Sequence, residues 1–194
     1  VLGISLLNDI LFDHDLLTPA EILDKLNLRV IEELDQSLEE GSSKDGMDIS
    51  LARINLKTLE LVWAGAHNSF YIFRKGELTE LKANKQPIGF YEYSKPFDNQ
   101  TFQLMEDDMV YASTDGYPDQ FGGERDKKLK SSGFRALLLD IQLLSTIEQR
   151  KYLKRSEIIN SVLAHLSLSA PKLLFKATSC GRAPIRDGCV PVIR

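Results

Sequence analysis

The residue best suited to chemistry is Asp115, which lies shortly after an apolar stretch, residues 109–112, typical of a buried strand. Such a strand presents one carboxylate at its end, and Gly116 has no Cβ, so the backbone can turn sharply and other groups can approach. Carboxylate oxygens are the hard ligands that Mg²⁺ and Mn²⁺ prefer. An aspartate followed by glycine also forms ordinary turns, so these residues alone fit either a metal site or a turn.

The sequence around this aspartate resembles a known family. Residues 113–123, Ser-Thr-Asp-Gly-Tyr-Pro-Asp-Gln-Phe-Gly-Gly, are similar to the signature of bacterial metal-dependent serine/threonine phosphatases of the SpoIIE/RsbU type, within the PPM (PP2C-like) group. Residues 44–49 and 64–72 resemble segments of one RsbU-like subgroup, and residues 85–89 match a Pro-(Ile/Leu)-Gly element before a flexible loop. Four segments in the family's order are more specific than any one of them, and the resemblance covers roughly residues 1–150.

The resemblance implies a fold and a reaction. Family members are α+β proteins with an α-β-β-α sandwich of antiparallel sheets flanked by helices, and they hold two Mn²⁺ or Mg²⁺ ions at one edge of the sheets. The ions lower the pKa of a bridging water, and the resulting hydroxide attacks phosphorus in line without a phosphoenzyme. Asp115 matches the metal-binding aspartate, which makes it the implied catalytic residue, and Gly116 matches the glycine of the same metal motif.

Two departures from the family pattern concern the other metal ligands. The upstream Gly-Asp-(Phe/Tyr)-x-Asp and Asp-x-x-Gly-His-Gly segments are absent, and residues 1–5 resemble the helix that follows the second of them, so we expect an N-terminally truncated domain. Family members finish with an Asp-Asp pair and an apolar strand. Residues 186–193 keep only Asp187 and place Pro191 within the strand, where proline removes a ladder hydrogen bond. Asp187 is therefore a second candidate metal ligand, in a tail that is atypical after about residue 155.

Four other residues near these motifs fit simpler roles. Asp119 falls where family members carry an acidic residue, but it also suits capping of the turn. Asp45 and Asp48 fit a loop and a strand, and His67 fits a packed or partly exposed position near a hairpin. We expect none of the four to be a direct metal ligand.

Helices are predicted on both sides of a strand-rich region. Residues 1–12 predict a buried helix, and the capping box that begins at Thr18 predicts a second helix that ends at Gly41. Its apolar face comprises Leu23, Leu26, Val30, Leu34 and Leu38. Later helices are predicted over the apolar face Phe134, Leu137, Leu138, Ile141 and Leu144, and over residues 146–166.

About six antiparallel strands are predicted between these helices. They cover residues 47–55, 59–63, 69–73, 78–81, 101–104 and 109–113. Lys75-Gly76 is a hairpin signal, and the acidic residues 106–108 predict a solvated turn. The pattern indicates a single α+β domain over residues 1–194, with helices packed on a β-sandwich.

Composition limits the classes of function. The hydrophobic content of 43% and charged content of 27% are typical of a soluble globular protein. A net charge of -4 with few basic clusters argues against nucleic acid as the main partner. No apolar run approaches the roughly 20 residues of a membrane span, and Cys180 and Cys189 alone do not form a disulfide scaffold. We expect a cytoplasmic chain, whose parent protein could be membrane-anchored through upstream regions.

We interpret the chain as the C-terminal part of a phosphatase domain. By resemblance, the parent removes phosphate from phosphoserine or phosphothreonine on a regulatory protein such as an anti-sigma-factor antagonist, under control of an upstream sensory region. The fragment alone is expected to be inactive, and unpaired sheet edges favour a homodimer. The alternative is a non-catalytic partner-binding module on the same fold. A two-metal nuclease is disfavoured because the sequence shows no basic groove.

Overall fold

The computed structural model describes residues 2–13, 17–37, 45–113, 119, 121–122, 127–145, 148–149, 163–167, 176–177 and 189–193. Their contacts divide the chain into two compact units. The first unit contains Val1–Ser69, Lys82–Leu104 and Gly181–Arg194, and the second contains Phe70–Leu81 and Met105–Cys180. The organisation as a single domain over residues 1–194 stays a prediction.

The elements of the described residues combine helices with antiparallel strands, which confirms the predicted α+β class. The helices are α1 (Leu2–Asp13), α2 (Pro19–Glu33) and α3 (Lys130–Ile141). The strands are β1 (Ile49–Ile54), β2 (Glu60–Ala66), β3 (Phe70–Arg74), β4 (Glu77–Leu81), β5 (Gln100–Gln103), β6 (Met109–Ser113), β7 (Phe121–Gly122), β8 (Lys127–Lys128), β9 (Leu163–Ser167), β10 (Lys176–Ala177) and β11 (Cys189–Ile193). The six strands predicted between residues 47 and 113 are confirmed to within a few residues.

The start of α2 is fixed by the predicted capping box. The Thr18 hydroxyl accepts a hydrogen bond from the backbone N–H of Glu21, and the Glu21 carboxylate accepts one from the backbone N–H of Thr18 at 2.7 Å. That backbone hydrogen bond also lowers the pKa of Glu21. Pro19 suits the first turn because a helix leaves its first N–H groups unpaired.

The end of α2 comes earlier than the sequence predicts. The helix stops at Glu33, so the predicted continuation is wrong over residues 34–37. Its predicted end at Gly41 lies outside the described residues. Asp35 has a positive φ of 47°, and the backbone N–H groups of Asp35 and Gln36 donate to the carbonyls three and five residues earlier. This is the Schellman ending of a helix, in which aspartate takes a position usually held by glycine.

The first unit contains a sheet with the order β11-β1-β2-β5, in which all pairs are antiparallel. Pro191 in β11 lies opposite Leu51 of β1. Among the described strands, β11 is at the end of this order and pairs on one side only, and an edge strand of this kind tolerates proline. Buried side chains of α1, α2, β1 and β2 form the core here, among them Leu7, Leu23 and Leu26.

The second unit contains a sheet with the order β10-β9-β6-β3-β4, again antiparallel. The predicted hairpin between β3 and β4 is confirmed, since Lys75 and Gly76 both have positive φ, 47° and 93°, as a primed hairpin turn requires. The predicted face of α3 is also confirmed: Phe134 and Leu138 are buried and pack with Tyr71. The rings of Tyr71 and Phe134 meet edge to face at 5.5 Å.

The helix predicted over residues 146–166 is wrong at its C-terminal end. Leu163–Ser167 forms β9, which pairs with β6 and β10. Short apolar runs cannot distinguish a helix from a buried strand by periodicity alone, and here pairing with β6, about fifty residues away in sequence, decides the outcome. Among the described helices, none is long and apolar enough to cross a membrane.

Candidate active site

The strand that leads to the candidate motif is the middle strand of its sheet. β6 pairs with β3 on one side and β9 on the other. Val110, Tyr111, Ala112 and Ser113 are all buried. A central, buried strand holds the direction of the chain firmly, because it is hydrogen-bonded on both sides and packed on both faces. The backbone is therefore fixed as far as Ser113, two residues before Asp115.

Tyr111 is the one ionisable side chain on β6, and burial keeps it neutral. It is fully buried and its hydroxyl donates to the Oε1 atom of Gln149 at 3.3 Å. Burial raises the pKa of Tyr111 to about 12, although the hydrogen bond to Gln149 acts in the opposite direction. At neutral pH this strand therefore brings no charge of its own to the motif, and any anionic group there must come from the residues that follow it.

The turn before β6 is held by an ion pair between a buried carboxylate and a partly exposed guanidinium. The Asp108 carboxylate, 1% exposed, accepts hydrogen bonds from Arg74 at 2.8 Å (Nε to Oδ1) and 2.5 Å (Nη2 to Oδ2). It also accepts the backbone N–H of Met105 at 2.8 Å. The hydrogen bonds that Arg74 donates to Asp108 raise the pKa of Arg74 above its ordinary value. Two-pronged arginine–carboxylate contacts are among the strongest hydrogen bonds in proteins, so the start of β6 is as firmly placed as its middle.

The pairing of Asp108 with Arg74 was not predicted from the sequence. The sequence predicted a solvated acidic turn over residues 106–108, which is wrong for Asp108 and right for the exposed Glu106 and Asp107. The pairing register of β3 with β6 is the signal that indicates this ion pair. β3 and β6 pair Phe73 with Met109, so the next residues outward, Arg74 and Asp108, are neighbours of opposite charge.

The three residues that the sequence selects for the metal site lie outside the described residues. Asp115 and Gly116 follow β6 in the second unit, and Asp187 precedes β11 in the first unit. Their assignment to the metal site therefore stays a prediction. The structure does describe the neighbouring strands, β6 before Asp115 and β11 after Asp187.

The acidic and histidine side chains with simpler predicted roles are described. Asp119 is exposed and its carboxylate lies 3.4 Å from Nζ of Lys128. Asp48 lies directly before β1, and its carboxylate is 3.8 Å from Nδ1 of His67. His67 has a positive φ of 57° in the turn that follows β2. Asp45 is exposed, and its backbone carbonyl accepts a hydrogen bond from Gln36.

Asp48 and His67 do not amount to a metal site. Across the part of the chain that the structure describes, no group of three or more His, Cys, Asp or Glu side chains could hold a metal ion. The described side chains therefore do not fit a two-metal centre by themselves. Ligands for such a centre would have to include residues beyond them, among which Asp115 and Asp187 are the sequence's candidates.

The sequence profile of the Stage II sporulation protein E (SpoIIE) family matches residues 5–172. The chain belongs to the SpoIIE family. No curated protein matches the chain significantly.

Solved structures share the fold of this SpoIIE-family chain. It is similar to the SiaA-PP2C domain of Pseudomonas aeruginosa, with 28% identity and a TM-score of 0.61 over 71% of the chain and 52% of that domain. It is also similar to the PP2C phosphatase domain of SpoIIE from Bacillus subtilis with a fragment of its regulatory domain, with 16% identity and a TM-score of 0.59 over 90% of the chain and 50% of that structure. The SpoIIE phosphatase domain of Bacillus subtilis presoaked with Mn matches with 15% identity and a TM-score of 0.52, over 88% of the chain and 76% of that domain.

These comparisons confirm the family and the fold predicted from the motifs. The antiparallel sheets and few helices are those of a PP2C-like α+β fold, and the SpoIIE family match places the chain among PPM-type phosphatase sequences. The chain spans about half the length of the SiaA-PP2C domain that it matches.

Proposed function

We propose that the protein containing this chain is a metal-dependent phosphatase that hydrolyses phosphoserine or phosphothreonine on a regulatory protein. The observation that carries the proposal is the SpoIIE family match over residues 5–172, which includes the Thr-Asp-Gly motif at residues 114–116. The 28% identity to the SiaA-PP2C domain supports it.

In this proposal Asp115, two residues after β6 in the sequence, is a metal ligand. An ionised carboxylate suits a hard divalent cation, Mn²⁺ or Mg²⁺, and two such ions supply an activated water and charge neutralisation for phosphoryl transfer. Gly116 would allow close approach of the backbone to the site. Asp187 would be a further ligand.

The central, buried position of β6 supports this role for Asp115. A catalytic constellation works when its members are held within a fraction of an ångström, and regular elements hold them better than loops do. β6 is hydrogen-bonded on both sides, and the Arg74–Asp108 pair fixes its start. Because Asp115 follows Ser113 by only two residues, the fixed backbone of β6 limits where its carboxylate can lie.

We expect the 194-residue chain alone to show little activity, because it spans about half of the SiaA-PP2C domain and its described residues contain no set of three metal-ligating side chains. The regulatory substrate is proposed to be an anti-sigma-factor antagonist, under control of an upstream sensory region. A cytoplasmic site of action and a homodimer are also part of the proposal, and they rest on the sequence alone.

The proposal is tested with the full-length protein that contains this chain. Phosphoserine, phosphothreonine and phosphotyrosine peptides of one sequence are incubated with excess Mn²⁺, and released phosphate is measured. Hydrolysis of the first two peptides that stops on addition of EDTA is the expected result. Binding of the phosphopeptides without phosphate release would instead favour the non-catalytic partner-binding module.

A further inference from the structure

A surface cavity of about 530 Å³ in the first unit takes no part in the proposed chemistry. Two tyrosines and two lysines are prominent in its lining, which includes Asn84, Lys85, Tyr91, Tyr93, Lys95 and Asp98. We call it the tyrosine–lysine cavity. It is built from residues 84–98, a stretch without a regular helix or strand. An irregular stretch that forms a defined cavity needs specific interactions to hold it.

Amide side chains within the stretch supply the first of these interactions. Gln86, 5% exposed, donates from Nε2 to the backbone carbonyl of Lys95 at 2.6 Å and accepts the Lys95 backbone N–H at 3.0 Å. Asn84 makes a second reciprocal pair, donating to the Asp98 carboxylate at 2.9 Å and accepting the Asp98 backbone N–H at 3.2 Å. These hydrogen bonds join the beginning of the stretch, residues 84 and 86, to its end, residues 95 and 98.

Side chains on and just after α2 hold the same stretch from outside. Asn27 accepts the backbone N–H of Gly89 at 2.7 Å, and Asp24 accepts that of Phe97 at 3.0 Å. Gln36 accepts the backbone N–H of Phe90 at 2.8 Å. A surface that is ordered before binding loses less conformational entropy when a partner arrives. The cavity therefore has the preorganisation of a binding surface.

The two tyrosines give the cavity its apolar contact area. Tyr91 is 40% exposed and Tyr93 is 69% exposed. Their rings contact each other edge to face, with centroids 6.0 Å apart and an angle of 71°. Exposed tyrosines have a large apolar ring, a polar tip and few rotamers, which is why they are enriched among the residues that dominate protein interfaces.

The charge of the cavity favours an anionic partner. Lys85 and Lys95 are both exposed, and among the described residues neither has a carboxylate within 4.0 Å. The carboxylate in the lining, Asp98, is already engaged by Asn84. Two lysine ammonium groups are therefore available to carboxylates brought by a ligand, on either side of the tyrosine pair in the sequence.

We propose that the tyrosine–lysine cavity binds an acidic segment of a protein partner. Carboxylates of the segment pair with Lys85 and Lys95, and its backbone and apolar atoms pack on Tyr91 and Tyr93. This inference rests on the proposed function, since a phosphorylated protein substrate contacts the domain beyond its phosphorylated residue. The net charge of -4 opposes approach to a broad anionic surface such as a membrane or a nucleic acid, whereas a short segment meets only the local lysines.

The test is fluorescence anisotropy with the full-length protein that contains this chain, in EDTA so that no turnover occurs. The probe is a labelled peptide of aspartate and glutamate, and an uncharged peptide of asparagine and glutamine of the same length is the control. We expect the acidic peptide to bind more tightly and to be weakened by salt. The double variant Lys85→Gln/Lys95→Gln should weaken its binding about tenfold, as the loss of two exposed ion pairs of up to ~1 kcal/mol each predicts.

Matched variants distinguish the loss of Lys85 and Lys95 from the loss of any exposed lysine. Lys57→Gln removes an exposed lysine elsewhere in the first unit and should leave binding within about twofold. Lys85→Arg/Lys95→Arg keeps both charges and should keep binding. Tyr93→Ala should weaken binding severalfold without changing the melting temperature, because this ring is mostly exposed.

Several results would overturn the inference. These are no binding of the acidic peptide, equal binding of the uncharged peptide, unchanged binding in the double glutamine variant, or preference for phosphatidylserine vesicles or DNA over the peptide. The readout does not depend on catalysis. Failure of binding with intact hydrolysis of phosphoserine peptides would therefore remove this inference alone, and loss of hydrolysis with intact binding would remove the proposed function.

Discussion

The two units of the chain hold their critical backbone by different chemistry. In the first unit, neutral amides of Asn27, Gln36 and Gln86 clamp the irregular stretch that forms the tyrosine–lysine cavity. In the second unit, the charged pair of Asp108 and Arg74 clamps the turn before β6. A long irregular stretch is thus held by several contacts, most of them from neutral amides, and a tight turn by one strong contact between two charged groups.

This difference has a consequence for how each unit tolerates change. A buried carboxylate that loses its charge leaves its cationic partner uncompensated, which is costly. A lost amide leaves neutral groups unpaired, at a smaller cost for each group. The second unit should therefore depend on one side chain, whereas the first should lose stability in smaller steps.

The largest effect is expected at Asp108. Asp108→Asn keeps the size of the side chain but faces Arg74 with an amide, so we expect the free energy of unfolding to fall by about 3 kcal/mol. Urea unfolding measures this. Asp119→Asn is the matched control, because the Asp119–Lys128 pair is exposed on both sides, and it should change the free energy by less than about 0.5 kcal/mol. Equal effects of the two variants would break the comparison.

A smaller effect is expected at Gln36 in the first unit. Gln36→Ala leaves the carbonyl of Asp45 and the N–H of Phe90 without this partner, which should lower the free energy of unfolding by about 2 kcal/mol. Gln103→Ala removes an exposed amide that donates to the carbonyl of Thr58 and should cost at most about 1 kcal/mol. If Gln36→Ala cost more than Asp108→Asn, neutral clamps would be as critical as charged ones.

The smallest effect is expected at Asp24, the one carboxylate among the side chains that hold the cavity stretch from α2. Partial burial raises the pKa of Asp24, against the backbone hydrogen bond from Phe97. The folded protein therefore takes up this proton at higher pH than the unfolded chain does. The contribution of Asp24 to stability rises as pH falls through its folded pKa towards the ordinary value of 3.8.

Asp24→Asn isolates this contribution, because the amide oxygen can still accept the Phe97 N–H. At neutral pH the variant should be as stable as the wild type or slightly more stable, and at pH near the ordinary value the difference should shrink. Melting temperatures across a pH series measure it. A variant that is less stable at neutral pH and recovers at low pH would show that the ionised Asp24 carboxylate stabilises the fold, which contradicts this prediction.

Local signals in the sequence predicted most of the elements. The Thr18 capping box and the Lys75-Gly76 hairpin are formed by residues a few positions apart, so their outcome is fixed by local geometry. Motif order predicted the family, and β6 was predicted to the residue.

Non-local pairing accounts for what the sequence did not predict. β9 is a strand because it pairs with β6, and Asp108 is buried because β3 brings Arg74 beside it. The tyrosine–lysine cavity depends on amides of Asn84 and Gln86 that look like ordinary loop residues. The sequence did not predict the end of α2 at Glu33, because aspartate is uncommon at the left-handed position that Asp35 takes just after the helix. Asp115, Gly116 and Asp187 stay predictions of the sequence and of the family resemblance.

The proposed role of Asp115 as a metal ligand is tested by one substitution in the full-length protein. Asp115→Asn keeps the size of the side chain but removes the charge that a hard cation requires. In one preparation, Mn²⁺-dependent hydrolysis and the melting temperature without metal are both measured. The account predicts that turnover falls by more than about tenfold, a loss above roughly 1.4 kcal/mol, and that the metal-free melting temperature stays the same or rises as carboxylate repulsion is relieved. Retention of more than about a tenth of the wild-type turnover, with any effect confined to the melting temperature, would contradict it.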